Sequence, residues 1–334
     1  MSRAEQSRTY RFHGLDLEVR CSEPMAALLG SRFRMLASEG TERGTISLNF
    51  WPVADQSQHR VEKPAVQGRT FYNFPQGEAR YFEAGDQLYL SFRDGVRVLS
   101  QPSLGCASFS VVESEPANLF MASHLMLTIL LVEFLKRRGY YGMHAAGFSK
   151  NGKAILIPGT SGAGKSTLAI ALLRSGFDYL SDDMVYLRRH VDGWKVLGFP
   201  EDVDVSDQTI DFFPELHFLR RVHPSVVWAK KSVRTDEVYG AAMVREARPG
   251  AIVFPRISGR ERSAIRSINA DEALLAMVSN VLLTEARSCQ SHLNALTELV
   301  RQTPCYRLET GRDFDHIPRL LHEVLNDSRE KVHA

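Results

Sequence analysis

At 334 residues the chain is long for one domain, so two domains of unequal size are expected. A composition of 44% hydrophobic and 24% charged residues is that of a soluble globular protein, and 41 basic against 39 acidic residues (net +2) argues against nucleic acid or a membrane surface as partner. Four widely spaced cysteines (Cys21, Cys106, Cys289, Cys305), with no CxxC pair, fit reduced thiols in a cytoplasmic protein better than disulfides or a zinc site.

The opening MSRAEQSRTYRF lacks the apolar segment of a signal peptide. The first hundred residues alternate as strands do: Ile46, Leu48 and Phe50 in one run, then Leu88, Leu90 and Phe92 before Asp94-Gly95, Val96 and Val98. That second pattern predicts an antiparallel hairpin, and the polar stretch Ala54–Pro64 between the two runs predicts a loop. A β-rich N-terminal domain over residues 1–115 follows, with residues 116–334 forming a mixed α/β domain. The apolar run Leu119–Leu135 is interrupted by Ser123, His124, Thr128 and Glu133 and closed by Lys136-Arg137-Arg138-Gly139. It predicts a buried helix rather than a membrane span, with His124 a core or surface residue.

Residues 159–167 read GTSGAGKST directly after the apolar strand pattern AILIP. Glycines at 159 and 164 followed by Lys165 and Ser166 meet the spacing G-x-x-x-x-G-K-[ST], in which backbone N–H groups wrap a di- or triphosphate. Gly159, Thr160, Ser161, Gly162, Ala163, Gly164, Lys165, Ser166 and Thr167 are therefore the candidate nucleotide-binding residues. Lys165 is placed to reach the β- and γ-phosphates and the Ser166 hydroxyl to ligate Mg²⁺, while the following helix aims its positive end at the same anion and stops at Gly176.

Ahead of the loop, Asn151-Gly152 predicts a two-residue hairpin turn. The implied register pairs Lys150 with Lys153, Phe148 with Ile155 and Ala145 with Pro158, and one step further sets His144 against Gly159. His144 thus becomes a site candidate; the alternative is a structural histidine near a strand start. After the loop helix, FDYLSDD is predicted to return as a strand parallel to AILIP, with Asp182 and Asp183 at its carboxyl end beside the nucleotide. Adjacent side chains on extended chain point to opposite sides, so one carboxylate can approach metal and phosphates and the other a substrate hydroxyl. The alternative is that the pair caps a turn. Ser181 before them is small enough to leave room for a ligand.

Farther on, Lys230, Lys231 and Arg234 form one basic cluster, and Arg245, Arg248, Arg256, Arg260, Arg262 and Arg266 another. Arg256, directly after the apolar strand AIVFP, is the candidate for a transferring phosphoryl group. Helical patterns at Asp271–Glu285 and His292–Gln302 close the chain.

The run from His144 through Asp183 resembles the catalytic domain of HPr kinase/phosphorylase, a bacterial serine kinase related in fold to phosphoenolpyruvate carboxykinase: a histidine, a P-loop and an Asp-Asp pair ending the next strand. The resemblance implies an α/β P-loop kinase core of that type, preceded here by the β-rich domain. It also implies ATP and Mg²⁺ as cofactors, Asp182 as general base with His144 nearby, Asp183 beside Ser166 in the magnesium environment, and Lys165 as phosphate clamp. The family's downstream GxGxxN-type segment is missing; GFPEDVDVSDQTIDFFPEL stands in its place, and Glu201, Asp202 and Asp204 are equal candidates for a further carboxylate. In this the chain looks more like the HPr-kinase-related group of uncharacterised or biosynthetic-cluster kinases, some of which phosphorylate ribosomal peptide precursors. The expected partner is a protein or peptide bearing a serine. A small-molecule hydroxyl kinase and a nucleotide-sensing regulatory module remain the alternatives, and monomer or homo-oligomer stays open.

Overall fold

The computed structural model describes residues 5–36, 45–62, 69–74, 77–160, 162–224, 229–281 and 286–327. It is a mixed α/β protein that divides into two compact units, the first running to Arg138 and the second built from Gly139–Pro224 and from Lys230 onward.

The first unit is an eight-stranded sheet of β1 (Gln6–Phe12), β2 (Leu15–Cys21), β3 (Thr45–Val53), β4 (Arg69–Phe74), β5 (Gly77–Ala84), β6 (Gln87–Phe92), β7 (Val96–Gln101) and β8 (Cys106–Val112). Their spatial order is β1-β2-β3-β8-β7-β6-β5-β4. The expected hairpin is β6–β7, closed at Phe92↔Val96, with Leu88, Leu90, Phe92, Val96 and Val98 all buried. In the loop region after β3, Lys63 and Pro64 lie outside the described residues.

Helix α1 (Glu23–Arg32) leads its last residue to the long apolar helix, which runs as α2 (Pro116–Met121), a π-turn over Ala122–Met126 and α3 (Leu127–Lys136). Arg32 donates to the His124 carbonyl at 3.1 Å and to the Thr128 hydroxyl at 2.6 Å, which ties α1 to this helix. The first unit runs through Arg138 rather than ending at 115, so the helix belongs to it. Among the described residues this is the one helix long and apolar enough to cross a membrane, yet 72% of its apolar window is buried within the fold. Glu133 and Lys136 pair at 2.9 Å inside that packing, as buried charges must.

In the second unit β9 (Tyr140–Lys150) and β10 (Lys153–Pro158) form the hairpin at Asn151-Gly152, where both residues take positive φ. The observed pairs include Lys150↔Lys153, Phe148↔Ile155 and Ala145↔Pro158, the register read from the turn. Helix α4 (Lys165–Arg174) follows the glycine loop, and Gly176 turns the chain at φ 74°. Strand β11 (Asp178–Ser181) pairs with β9, so it runs parallel to β10 with β9 between them. Strand β12 (Met184–His190) continues along the same edge of β9 and hairpins into β13 (Gly193–Gly198). A short pair, β14 (Val203–Val205) and β15 (Lys231–Val233), stands apart from the sheet, with α5 (Asp207–Phe212) and α6 (Thr235–Tyr239) near it in sequence.

Strand β16 (Glu246–Ile257) pairs in turn with β13, β10 and β18 (Cys305–Thr310), closing the strand path on itself, and β17 (Ala264–Ile268) finishes the sheet beside β18. Helices α7 (Ala270–Val278) and α8 (Ala286–Gln302) cover one face through Ala273, Met277, Leu296 and Leu299, and α9 (Ile317–Asp327) ends the described chain. The helical pattern expected over Asp271–Glu285 stops at Val278; its end, 282–285, lies outside the described residues.

Close packing against β11 draws on the absence of a side chain at Gly198. A Cβ on Gly198 would sit 2.5 Å from the Leu180 carbonyl oxygen, a backbone atom that cannot swing aside. Gly198→Ala is expected to lower stability by about 1–3 kcal/mol and to displace the segment carrying Asp182. Urea unfolding checks it; an unchanged midpoint refutes it.

Candidate active site

The site is assembled where β9 changes partners. Its pairing with β10 ends at Ala145↔Pro158, and its pairing with β12 begins at His144↔Met184. His144 therefore lies level with the first glycine of the loop on one side and with the acidic doublet on the other. The His144 backbone N–H donates to the Asn280 carbonyl at 2.7 Å, and Ala145 N–H donates to the Asp183 carbonyl at 3.1 Å.

The loop is shaped by Gly162 and Gly164, at φ 84° and 90°, torsions that favour glycine. Ala163 N–H donates back to the Thr160 carbonyl at 3.2 Å, and a Cβ on Gly159 would come within 3.2 Å of the Ala163 methyl. Helix α4 begins at Lys165 with no side-chain cap, which leaves its first N–H groups directed at the loop's hollow. Ser166 is half-buried there. The Thr167 hydroxyl instead meets the Thr209 hydroxyl of α5 at 3.0 Å, so its role is to tie two helices together. Ser161 lies outside the described residues.

Lys165 folds over the loop, donating to the Gly159 carbonyl at 2.5 Å and meeting His144 Nε2 at 3.1 Å. An ammonium only donates, so Nε2 accepts and the imidazole proton sits on Nδ1, 3.0 Å from Asp183 Oδ1. Lys165, His144 and Asp183 thus form one chain of contacts. Burial pulls the Lys165 ammonium below the ordinary lysine range, against the upward pull of Asp183 and Asp182.

The two aspartates differ sharply. Asp182 is 8% exposed, and its Oδ1 is buried with no hydrogen-bond partner. Burial, with Asp183 and Asp204 adding negative charge, pushes its carboxyl up to about 7. The Asp183 side chain keeps 57% of its area exposed. Its partial desolvation favours the acid, but the His144 imidazole and the Lys165 and Lys230 ammonium groups outweigh that and hold it down to about 2. Ser181 leaves no room for a ligand: it is fully buried, and its hydroxyl donates to the Phe199 carbonyl at 2.7 Å, fastening the strand before the doublet.

Two residues that the sequence left unselected stand out. Asp204 on β14 takes a hydrogen bond from Ser232 on β15 at 2.6 Å, and burial pushes its carboxyl up. Lys230, one residue before β15, acts electrostatically on Asp182, Asp183, Asp204 and Lys165 together. A Val-Asp-Val facing a Lys-Ser-Val is the alternating signal that marks this pair, but three-residue strands are too short to be read with any force from sequence.

Arg256 is not brought to the loop. Its neighbours on β16 are: Pro255 lies 3.6 Å from a Cβ built on Gly159, and Ile257 3.6 Å from one on Gly164. Strand alternation turns Arg256 to the other face.

No family model matches the chain, and no curated protein matches it. Among solved structures it is similar to the Hpr(Ser) kinase/phosphatase from Coxiella burnetii, at 15% identity and a TM-score of 0.33, over 57% of this chain and 92% of that one. An overlay this loose decides nothing about chemistry, which rests on the residues themselves.

Those residues suit a nucleotide. An uncapped helix N-terminus, two glycines with left-handed torsions and a lysine drawn over the loop carbonyls form a cradle for phosphate oxygens. Among the described residues no three His, Cys, Asp or Glu side chains converge as a ready metal cage. A hydroxyl with one or two carboxylates suits Mg²⁺, which takes its remaining ligands from water and phosphate.

Proposed function

We propose that the chain is an ATP- and Mg²⁺-dependent phosphotransferase whose acceptor is a hydroxyl, serine of a protein or peptide in the first instance. The observation carrying this reading is the contact chain Lys165–His144–Asp183 beside a buried, unpartnered Asp182 oxygen, all at the mouth of the glycine loop.

In this reading the backbone of 159–164 and the first turn of α4 hold the phosphates, and Lys165 leaves the Gly159 carbonyl to clamp them. Ser166 and Asp183, with Asp204 beside them, are the residues that would hold magnesium, which when bound neutralises charge on the phosphate oxygens. His144 orients Asp183 through its Nδ1 proton. Asp182 accepts the proton of the acceptor hydroxyl as its oxygen bonds to the γ-phosphorus and the bridging bond to ADP breaks. A carboxyl pushed up to about 7 is a stronger base than an ordinary aspartate and still ionises near neutral pH.

Incubation with γ-labelled ATP, magnesium and either seryl peptides or small hydroxyl metabolites tests the reading. Label on a peptide serine supports it. Faster transfer to a metabolite moves the acceptor to a small molecule, and nucleotide binding with no transfer to either overturns the transferase assignment.

A further inference from the structure

A concavity of about 430 Å³ opens in the second unit at the end of α4 remote from the loop. Arg174, which lines it, is the tenth residue of α4, so the concavity lies about 15 Å from Lys165 at the usual helical rise.

One side of the concavity is aromatic. The Phe314 ring lies 4.9 Å from that of Phe212 and 5.5 Å from that of Phe213. Phe213 is buried beneath, while Phe212 keeps 38% of its area open to solvent. The other side is basic, with Arg174, Arg312 and Arg319 contributing guanidinium groups. Of its two carboxylates, Asp313 is engaged and Asp315 is mostly exposed to solvent. Asp313 accepts from the Ser263 N–H at 2.9 Å and from the Ser263 hydroxyl at 2.5 Å. Asp315 lies 3.8 Å from Arg174, which also approaches Glu215 at 3.8 Å. Among the described residues, neither Arg312 nor Arg319 has a side-chain hydrogen bond or ion pair.

Two free guanidinium groups beside a partly open phenyl ledge suit one ligand chemistry. Guanidinium binds a phosphate or carboxylate with paired hydrogen bonds, and the ledge offers apolar area to a flat group attached to that anion. The volume is in the range of small-molecule sites. We propose that this concavity binds a small organic oxyanion, its anionic group held by Arg312 and Arg319 and its apolar ring or hydrocarbon body lying on Phe212 and Phe314. The site is separate from the phosphate loop and stands whether or not the loop serves phosphoryl transfer.

Isothermal titration of the full chain with phenyl phosphate, benzoate and inorganic phosphate tests this. In the wild type the better of the two aromatic anions is expected to bind about tenfold more tightly than inorganic phosphate, from burial of one ring face. The double variant Arg312→Ala/Arg319→Ala should lose at least about tenfold of that affinity. Lys165→Ala should leave it unchanged, which separates this site from the loop. Phe212→Ala, at a partly exposed position, should keep the fold and erase the preference for the ring; it serves as the deciding variant if the double arginine variant unfolds. Phenyl phosphate identifies a phosphate-bearing ligand if it outbinds benzoate, and benzoate a carboxylate if the order is reversed. Undiminished binding by the double variant, loss of binding in Lys165→Ala, or no binding of either aromatic anion overturns the proposal.

Discussion

Asp182→Asn is expected to cut phosphoryl transfer by about 10²–10⁴-fold while making the ligand-free protein more stable above neutral pH. The loss follows from removing the base. The gain follows from burial: the carboxyl is held at about 7 against an ordinary 3.8, so the folded state disfavours the charged form. A raised folded value means stability is fully present below about pH 4 and is lost as pH rises toward about 7, because the unfolded chain ionises first. The amide does not ionise, so its advantage over the wild type should grow across that window and level off above it. Its ceiling is about 4 kcal/mol, from a shift of roughly three pH units at 1.36 kcal/mol each. Thermal unfolding of both proteins between pH 4 and 8, with transfer assays alongside, checks the pair of effects. A variant that is inactive and also less stable at pH 8 would mean that the carboxylate is structural. Equal transfer by the two would remove Asp182 as base.

Lys165→Ala is expected to lower nucleotide affinity and to reduce transfer by about 10²–10³-fold, the usual cost of removing one charge-stabilising donor from a site. Its ammonium is drawn over the Gly159 carbonyl and touches His144, with little to hold it except the loop and the acidic pair. The substitution also deprives His144 Nε2 of its donor, which frees the imidazole to exchange tautomers and weakens its hold on Asp183. Lys165→Arg should not rescue transfer, since a planar fork cannot take the place of a compact ammonium in a half-buried hollow. Nucleotide titration and single-turnover transfer separate the binding loss from the rate loss. Unchanged nucleotide affinity in Lys165→Ala would remove the loop as the phosphate cradle.

The site's skeleton is legible in the chain because its parts are close in sequence and tied by simple geometry. Asn151-Gly152 admits few turns, so it sets the β9–β10 register and aligns His144 with Gly159. The spacing of Gly159, Gly164 and Lys165 dictates a tight loop entering a helix. The doublet after α4 sits in the bend just past β11, a strand that runs parallel to β10 although β9 intervenes. Where the sequence misled, the cause was distance or face. Arg256 has the right position along β16 and the wrong side of it. Ser181 has the right size, but its hydroxyl is taken by a carbonyl eighteen residues on.

By itself, then, the sequence determined the glycine loop, the hairpin register beside it and the place of the acidic pair along the chain, since turn chemistry and the twofold period of a strand act over a few residues. The tertiary structure alone decided which aspartate is buried and which solvated, that Asp204 and Lys230 join the pair through β14 and β15, and that the apolar helix belongs to the first unit. Burial and charge proximity are sums over neighbours remote in sequence, and no local spacing encodes them.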